Sequence, residues 1–393
     1  MQSGIAPAPT RRVLLFSPLW WRDPVSGDTS YTEALLEQPP PGVSYTTYDE
    51  AIKSGKLRVR GRKPWHGHTS LTDIAIFGAR AMESAVRKGS LAFREPVWFV
   101  SVDPASFDVV HQHLFAIRQV GSRLPVVSSA GYPLTELYRM REQWTPLHLR
   151  CALAFESAAA RALDIHEPWL RPTRNGVLTV YTEHFREWLM ERGVDADQVR
   201  VVGTALPDLG LPRKQSDGRT LGVIARDFVG KGGDIALAAF RELRASDPSW
   251  RLIVGTTAAE ARVYVTPEPG VELVVDPSRG LVLNDLLPRI DVLLAPTRSD
   301  CGAPYTVLEA LQAGTCVVMS DIPWIDPRLQ PPAVARVPLA ADAVASAVVA
   351  LARGDLRAAQ LAAKALWRSE FSMERLHRPL LGAYDAALRR HRA

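Results

Sequence analysis

The chain has few cysteines and no long apolar run. Its 393 residues include three cysteines, Cys151, Cys301 and Cys316, which lie far apart and are odd in number. This usage argues against a disulfide framework and a paired metal site, and it favours a reducing, cytoplasmic location. No run of about 18 apolar residues occurs, so no segment is predicted to span a membrane. The start, MQSGIAPAPTRR, lacks the apolar core of a signal peptide, and we expect a short disordered lead-in there.

Sequence signatures of nucleic-acid binding are also absent. The formal net charge of +5 is mild and suits an anionic substrate such as a nucleotide diphosphate, or a negatively charged membrane surface. No zinc-finger spacing or RNA-binding aromatic signature accompanies it, so a nucleic-acid partner is not predicted. The basic stretch KSGKLRVRGRKPWHGH at 53–68 is a candidate for docking an anionic acceptor or a membrane. A solvated loop is the preferred interpretation, and peripheral membrane contact is not favoured. The excess of arginine over lysine indicates a GC-rich, bacterial genome.

Length and apolar patterning predict two α/β domains. A chain of this length exceeds one ordinary core, and its 47% hydrophobic and 23% charged residues are typical of globular proteins. Short apolar runs alternate with helical patterns, which indicates parallel sheets covered by helices on both faces. The predicted strands are 13–17, 97–100, 108–111, 126–128, 177–181, 221–225, 252–255, 273–275, 292–295 and 316–319, with helices at 29–37, 70–88, 147–163, 183–192, 234–244 and 305–313 among others.

The predicted division has four parts. An N-terminal domain spans 1–205, a Pro- and Gly-containing linker spans 206–219, and a C-terminal domain spans 220–370. A terminal helix at 371–393 is expected to pack back on the first domain. Each domain is predicted to be a doubly wound, Rossmann-like sheet, and the two are expected to face one another across a cleft.

Two cations follow the first strand of the second domain. Arg226 ends that strand, and Lys231 comes five residues later at a helix start flanked by Gly230, Gly232 and Gly233. Two cations and a helix N-terminus in one crevice form a site for a diphosphate. The alternative is a pair of ordinary surface cations. The segment is not a P-loop, because no Ser or Thr follows Lys231.

The segment 296–323, PTRSDCGAPYTVLEALQAGTCVVMSDIP, carries the second signal. It leaves a buried strand, passes through a loop with Gly302 and Pro304, and enters a helix with a single carboxylate, Glu309. A lone carboxylate one turn into this helix can bind the hydroxyls of a ribose. The alternative is an exposed helix carboxylate. Together with the two cations, the segment indicates a nucleotide-linked substrate.

These residues resemble the retaining glycosyltransferases of the GT-B fold, in the glycogen-synthase-like and mannosyltransferase-like group known as family 4. That pattern has Arg, four residues and Lys-Gly, and later Glu-Gly-Phe-Gly, four residues and Glu-Ala, then a Gly-Thr-Pro-Val-Val-like strand entry. The matching positions are Arg226, Lys231, Gly232, Gly302, Glu309, Ala310, Gly314, Thr315 and Val317. The resemblance covers 220–350 well and the first half more faintly.

The resemblance implies a reaction and a set of roles. The enzyme would move a sugar from a nucleotide-diphospho-sugar to an acceptor hydroxyl with retention, needing neither metal nor cofactor. Arg226 and Lys231 would neutralise the leaving diphosphate, and Glu309 would hold the ribose. The donor would contact Asp300, Cys301, Gly302, Ala303, Pro304 and Tyr305. The acceptor remains open between a small molecule, a lipid carrier and a glycan.

The sequence departs from the family where the donor sugar is held. The family's first glutamate falls on Cys301, with Asp300 one residue earlier, and Phe-Gly becomes Ala303-Pro304. Pro304 has no amide proton to donate. Our hypothesis is therefore a donor other than the common glucose or mannose, such as a deoxy-sugar or pentose. A one-residue shift that lets Asp300 do the same job is one alternative, and loss of activity is another.

The first half adds weaker signals. His111 and His113 share one face of a strand, and the resemblance places His113 near the donor sugar, with a structural histidine as the alternative. Gly27 and Asp28 follow the first strand, where relatives hold a glycine-rich loop at the acceptor and diphosphate. Asp195-Ala196-Asp197 is interpreted as a structural turn. Sugar-nucleotide epimerisation, a pseudo-glycosyltransferase and a non-catalytic partner subunit remain as alternative functions.

Overall fold

The computed structural model describes residues 10–17, 27–61, 97–113, 116–121, 123–131, 147, 176–212, 214–215 and 217–392. The predicted helix at 70–88 and nearly all of that at 147–163 lie outside these residues. The chain divides into two compact units. The N-terminal unit comprises Met1–Trp21, Thr32–Val202 and His377–Ala393, and the C-terminal unit comprises Arg22–Tyr31 and Gly203–Leu376.

The N-terminal unit is built on a parallel sheet of six strands, with the order β2-β1-β5-β7-β8-β9. The central strands are buried along their whole length, as expected for a parallel sheet covered on both faces, although they include polar residues such as His111 and Ser129. The strands are β1 (Arg11–Phe16), β2 (Val43–Thr47), β5 (Val109–His113), β7 (Val126–Ala130), β8 (Val177–Val180) and β9 (Val199–Val201). The α-helices among the described residues before 200 are Gly27–Glu37, Tyr48–Lys53 and Glu183–Met190.

A second, three-stranded sheet in this unit corrects two predictions. It contains β3 (Leu57–Gly61), β4 (Val97–Val102) and β6 (Ala116–Gln119), in the order β3-β4-β6. The apolar run at 97–100 was expected in the main parallel sheet, but β4 pairs antiparallel with β3. An apolar run predicts a strand without naming its partner, which explains the error. The basic stretch at 53–68 is likewise not all loop, because β3 lies within it and Leu57 is buried.

The C-terminal unit repeats the architecture with a parallel sheet in the order β12-β11-β10-β13-β14-β15. The strands are β10 (Thr220–Ile224), β11 (Arg251–Thr256), β12 (Val271–Val275), β13 (Val292–Ala295), β14 (Cys316–Ser320) and β15 (Val334–Val337). The predicted α/β class is therefore confirmed. The strand order reverses between β10 and β13, and ligands of open α/β sheets bind at the carboxyl ends of strands at such a point.

Helices cover both faces of this second sheet. One buried cluster packs Leu293, Val317 and Met319 against helices on one face of the sheet. A second cluster packs Leu221, Leu252 and Val318 against helices on the other face. The helical segments are Gly233–Ser246, Ala258–Tyr264, Arg279–Leu281, Val282–Leu286, Leu287–Arg289, Tyr305–Ala313, Ala341–Arg353, Leu356–Glu370 and Met373–Arg392. The last of these is strongly amphipathic but interrupted by Pro379, and no helix in the described ranges is long and apolar enough to cross a membrane.

The segment predicted as a linker is held against the C-terminal unit. Gln312 accepts a bond from the Leu209 amide at 2.8 Å and donates one to the Pro207 carbonyl at 2.9 Å. Farther along, the Lys214 ammonium donates to Thr315 Oγ1 at 2.8 Å. Burial lowers the pKa of Lys214 to about 8, because charge is costly away from water. The segment therefore belongs structurally to the C-terminal unit from Gly203 onward.

Candidate active site

The loops that follow β10 and β13 carry most of the predicted site residues. Arg226 lies two residues beyond β10 and is exposed, and Lys231 immediately precedes the turn into the Gly233–Ser246 helix. Asp300 to Pro304 lie on the loop between β13 and the Tyr305–Ala313 helix. The two strands are hydrogen-bonded neighbours, so their loops leave the same edge of the sheet at the point of strand reversal.

Gly232 allows the loop that carries Lys231 to lie against the backbone after β13. Its φ is +73°, a left-handed conformation that side chains disfavour. A Cβ at this position would lie 1.9 Å from the Pro296 carbonyl oxygen. The neighbouring Gly233 is also restricted, since a Cβ there would lie 2.4 Å from the Phe228 ring. The two glycines after Lys231 thus fix where its ammonium can reach.

Arg298 ties the two loops together, and sequence reasoning missed it. Its guanidinium donates to both carboxylate oxygens of Asp234, at 2.7 and 2.8 Å, and also to the Val229 carbonyl. Its own amide donates to the Gly230 carbonyl at 3.0 Å. The ion pair raises the pKa of Arg298 and lowers that of Asp234. Because Asp234 lies in the first turn of the Gly233–Ser246 helix, Arg298 holds the start of that helix in place.

Lys231 and Asp300 form an ion pair across the two loops. The ammonium Nζ lies 2.5 Å from Asp300 Oδ2, and the aspartate side chain is mostly buried. The two residues were predicted to serve the same donor, and the structure brings them together. Asp300 therefore contacts the cation that is expected to meet the diphosphate. The replacement of the family's glutamate by Asp300 stays a prediction.

The backbone amides of the loop at 301–304 are bonded within the protein. The Cys301 amide donates to Asp300 Oδ1 at 3.1 Å, and the Gly302 amide donates to the Trp324 carbonyl at 2.8 Å. The buried Ala303 exchanges two bonds of 3.0 Å with the Thr204 hydroxyl, which accepts from its amide and donates to its carbonyl. Pro304, the N-cap of the following helix, has no amide proton. The loop is therefore shaped by internal bonds, and Thr204 is a second residue that the sequence did not reveal.

The Tyr305–Ala313 helix begins without a capping side chain in the described structure. The N–H groups of its first turn have no partner inside a helix, and they suit an anion or water. At the other end the helix stops at Gly314, whose φ of +76° closes the last turn. The helix start therefore has the polarity expected at the leaving group.

Glu309 lies in this helix and is only 6% exposed. It is the single carboxylate of this helix, as predicted, and Arg279 reaches it from a short helical turn after β12. Arg279 Nε and Nη2 each lie 3.2 Å from Glu309 Oε1. Burial raises the pKa of Glu309 to about 7, and the nearby Arg279 works against that rise. The Arg279 contact leaves Oε2 as the oxygen available to a ligand hydroxyl.

His113 lies in the N-terminal unit, at the carboxyl end of β5, and is 2% exposed. Its strand is the neighbour of β1 at the point where the order of that sheet reverses. Gly27 and Asp28 begin the Gly27–Glu37 helix rather than a loop, and residues 18–26 before them lie outside the described structure. The roles of His113, Gly27 and Asp28 stay predictions.

His111 has a structural environment that the sequence did not reveal. It is fully buried, with Nδ1 2.7 Å from the Tyr384 hydroxyl and Nε2 2.7 Å from Ser129 Oγ. The chain of contacts continues from Tyr384 to the Tyr45 hydroxyl at 2.8 Å and from Ser129 to Thr179 Oγ1 at 2.7 Å. Burial lowers the pKa of His111 to about 3, so the ring is neutral at ordinary pH.

Other predicted polar features are structural or absent from the described ranges. Asp195 caps the short helical turn Ala196–Gln198 by accepting a bond from the Asp197 amide, which confirms the structural interpretation of that motif. Cys301 and Cys316 form no disulfide within the described residues, and Cys151 lies outside them. In the part of the chain that the structure describes, no cluster of three or more His, Cys, Asp or Glu side chains suits a metal ion.

Comparison with known proteins agrees with this geometry. Residues 218–353 match the family model described as "Glycosyl transferases group 1", and Arg226, Lys231, Asp300, Arg279 and Glu309 all lie inside the match. The match supports a glycosyltransferase. With its two six-stranded parallel sheets, the chain has the α/β fold of the GT-B glycosyltransferases.

Solved structures of low sequence identity share the fold. A glycosyltransferase from Rickettsia africae is 14% identical with a TM-score of 0.58, covering 96% of this chain and 99% of its own. Sucrose-phosphate synthase from Thermosynechococcus elongatus is 13% identical with a TM-score of 0.57, covering 95% and 98%. Anabaena HepE, solved with UDP and glucose, is 11% identical with a TM-score of 0.57, covering 95% and 99%.

A curated relative matches a shorter part of the chain. The exopolysaccharide phosphotransferase of Streptomyces coelicolor is 28% identical over 160 residues. These cover 39% of this chain and 17% of the relative, so the chain spans a minor part of that protein.

Proposed function

We propose that this protein is a retaining glycosyltransferase that moves a sugar from a nucleotide-diphospho-sugar to an acceptor hydroxyl. One observation carries the proposal. In the C-terminal sheet the strand order reverses between the neighbouring strands β10 and β13. The loop after β10 carries Lys231 and leads through two glycines into the Gly233–Ser246 helix. The loop after β13 leads into the Tyr305–Ala313 helix, which has no capping side chain and carries Glu309. Cations and helix N-termini bind phosphate, and a carboxylate binds ribose hydroxyls. The group 1 family match over the same residues supports this combination.

The proposed chemistry relies on electrostatic stabilisation of the leaving group. Arg226, Lys231 and the N–H groups at the start of the Tyr305–Ala313 helix would stabilise negative charge as the sugar–phosphate bond breaks. The nucleoside diphosphate departs and leaves an oxocarbenium-like centre on the sugar. The acceptor hydroxyl then attacks from the face that the diphosphate has left. An oxygen of the leaving phosphate takes the acceptor proton. No metal or cofactor is part of this proposal, and retention rests on the family resemblance.

The donor is proposed to be a deoxy-sugar or a pentose. Between Cys301 and Pro304 the amides are bonded to Asp300, Trp324 and Thr204 or are absent. Cys301 also stands where the family has a glutamate. These features support a donor with fewer hydroxyls to satisfy at this position. Full-rate transfer from UDP-glucose or GDP-mannose in a donor profile would contradict the hypothesis, whereas preference for a 6-deoxy-sugar or pentose donor would support it.

The proposed reaction needs an acceptor with a hydroxyl group and a compartment that contains nucleotide-sugars. A small molecule, a lipid carrier and a glycan all have the hydroxyl that the reaction needs. The reaction is proposed to take place in the cytoplasm, where nucleotide-sugars are made, without a nucleic-acid partner.

A panel of nucleoside diphosphates tests the donor site directly. UDP, dTDP, GDP and ADP are each added to the protein and to Arg226→Ala, and the melting temperature is followed. UDP is the first candidate, since HepE was solved with it. Stabilisation of the parent by one nucleotide, lost in Arg226→Ala, supports the proposal and names the base. No shift with any of the four would favour a non-catalytic subunit instead.

Product analysis without an acceptor separates transfer from other chemistry. A glycosyltransferase leaves its donor intact or hydrolyses it slowly, whereas an epimerase converts it to a second nucleotide-sugar. The anomeric configuration of the product, read by NMR coupling constants, tests retention.

A further inference from the structure

Glu309 receives both of its contacts from one side. Arg279 Nε and Nη2 each approach the same oxygen, Oε1, at 3.2 Å. Because both contacts fall on one oxygen, they restrain Oε1 and leave Oε2 outside the ion pair. Arg279 comes from the short helical turn Arg279–Leu281, capped by Ser278, so the two residues lie on separate elements. Their geometry is therefore a product of the fold and not of helix spacing.

Arg279 is the charged side chain that acts on Glu309 in the described part of the chain. The helical segments that pack against the Tyr305–Ala313 helix carry the charged side chains Arg289, Arg357, Lys364, Arg368 and Glu370. Arg289 is paired with Glu272 and Asp285, and Lys364 lies against Gly314 at the far end of the helix. Burial raises the pKa of Glu309 to about 7, and Arg279 is the charged group that opposes this rise. Without Arg279 the carboxyl would be neutral over a wider range of pH.

We propose that Arg279 is a positioning residue that acts through Glu309, holding it as a carboxylate with Oε2 directed at the ribose hydroxyls of the bound nucleotide. The inference rests on the proposed function, which makes Glu309 the ribose ligand. Arg279 contributes to nucleotide affinity by way of Glu309 and contacts no atom of the nucleotide itself. A neutral carboxyl would have to donate to one hydroxyl instead of accepting from two, so binding weakens when it takes up a proton.

A double-mutant cycle tests this role. The dissociation constant of the nucleoside diphosphate that binds the parent is measured by calorimetry between pH 5.5 and 8.5. The proteins are the parent, Arg279→Ala, Arg279→Lys, Glu309→Gln and the double variant Arg279→Ala/Glu309→Gln. We expect Arg279→Ala to weaken binding about tenfold at pH 7.5 and to shift the rise in affinity to higher pH. Arg279→Lys should bind the nucleotide more tightly than Arg279→Ala but less tightly than the parent. The double variant Arg279→Ala/Glu309→Gln should bind it as tightly as Glu309→Gln alone.

The ribose itself supplies a second arm. The 2′,3′-dideoxy analogue of the same nucleotide lacks the hydroxyls, so its affinity should be nearly equal in the parent and in Arg279→Ala. Equal losses from Arg279→Ala in the parent and the Glu309→Gln background would overturn the proposal, because Arg279 would then contact the nucleotide. The proposal would also be overturned if nucleotide affinity depended on pH in the same way in the parent and in Arg279→Ala.

A measurement without nucleotide separates this proposal from the proposed function. If the parent binds none of the four diphosphates, the proposed function fails, but the effect on Glu309 can still be followed. The free energy of unfolding is compared between parent, Arg279→Ala and Glu309→Gln across pH 4.5 to 8. In the parent, stability should fall as the pH rises from the ordinary pKa of a glutamate, 4.5, to the raised pKa of Glu309, about 7. In Arg279→Ala this loss of stability should continue to a higher pH. Coincident pH curves for parent and Arg279→Ala would show that Arg279 does not control Glu309.

Discussion

Gly232 is the position in the candidate site where a single methyl group has the clearest consequence. Its left-handed backbone and the 1.9 Å approach of the Pro296 oxygen to the site of a Cβ leave no room for alanine. Strain and displacement should lower the free energy of unfolding by about 2 kcal/mol or more in Gly232→Ala. The loop that carries Lys231 must move, so nucleoside-diphosphate affinity should fall more than tenfold. Urea unfolding and calorimetric titration measure the two effects.

Gly382→Ala is the matched control for this change. Gly382 lies in the Met373–Arg392 helix, and a Cβ there would meet nothing within 4 Å. Alanine in a helix should raise stability by about 0.5–1 kcal/mol and leave nucleotide affinity unchanged. Retained affinity in Gly232→Ala would contradict the placement of Lys231 at the phosphate.

His111 makes the N-terminal unit sensitive to acid. Its pKa is about 3 in the folded protein, against an ordinary value of 6.5. Between these values the unfolded chain binds more protons than the folded one, so stability is present above pH 6.5 and is lost as the pH falls. The slope attributable to this one group is at most about 1.4 kcal/mol per pH unit. Urea unfolding at pH 7.5, 6.5 and 5.5 should therefore show a steeper loss in the parent than in His111→Gln.

An exposed histidine of the same unit is the control. His184 lies in the first turn of the Glu183–Met190 helix, on the surface. His184→Gln should leave the steep acid dependence in place. Equal slopes in the parent and in His111→Gln would mean that His111 does not stay neutral below pH 6.5.

At the scale of elements, Arg298 couples the loop after β13 to the start of the Gly233–Ser246 helix. It contacts Asp234 with two bonds and the Val229 carbonyl with another. Arg298→Ala should free this helix start, and affinity for a nucleoside diphosphate should fall about tenfold, or about 1.4 kcal/mol. Affinity for the nucleoside alone should change little, because the proposed site places only the phosphates at the helix start. Calorimetric titration with both ligands checks the difference.

Arg241→Ala is a control on the same helix. Arg241 pairs with Glu268 on the exposed surface, and surface pairs contribute little to stability. Its removal should leave both affinities unchanged. An equal loss of nucleoside and diphosphate affinity in Arg298→Ala would indicate general unfolding of the loop rather than a disturbed phosphate site.

Many elements of the C-terminal unit were predicted because their signals are local, whereas the strand Val334–Val337 and the helices Ala341–Arg353 and Leu356–Glu370 were not. The strand Val292–Ala295 and the helix Tyr305–Ala313 were predicted with the same bounds, since buried apolar runs end at Pro296 and Gly314. An apolar run does not specify its neighbours, so the strand predicted at 97–100 was placed in the wrong sheet. The pairs that shape the site, Lys231 with Asp300 and Arg279 with Glu309, are 69 and 30 residues apart. Charge alone could not match them before the fold was known.

At the scale of the whole molecule, the end of the chain completes the unit in which the chain begins. Residues His377–Ala393 belong to the N-terminal unit, where Asp385 pairs with Arg11 at 2.7 Å. Tyr384 is fully buried and contacts both His111 and Tyr45 through its hydroxyl. The contact between Tyr384 and His111 spans 273 residues. No local sequence pattern could reveal a partner at that distance, although a terminal amphipathic helix was predicted.

Tyr384→Phe should therefore weaken the N-terminal unit while leaving the other unit unchanged. The substitution keeps the ring but leaves buried His111 Nδ1 without its hydroxyl partner, which should cost about 1–3 kcal/mol. Hydrogen exchange followed by mass spectrometry should show faster exchange in peptides covering β5 and β7, and parent-like exchange in those covering β10 and β13. Tyr264→Phe is the control, since Tyr264 is 43% exposed and stacks on Phe228 in the C-terminal unit. Parent-like exchange of β5 in Tyr384→Phe would mean that this hydroxyl contributes nothing to holding the end of the chain.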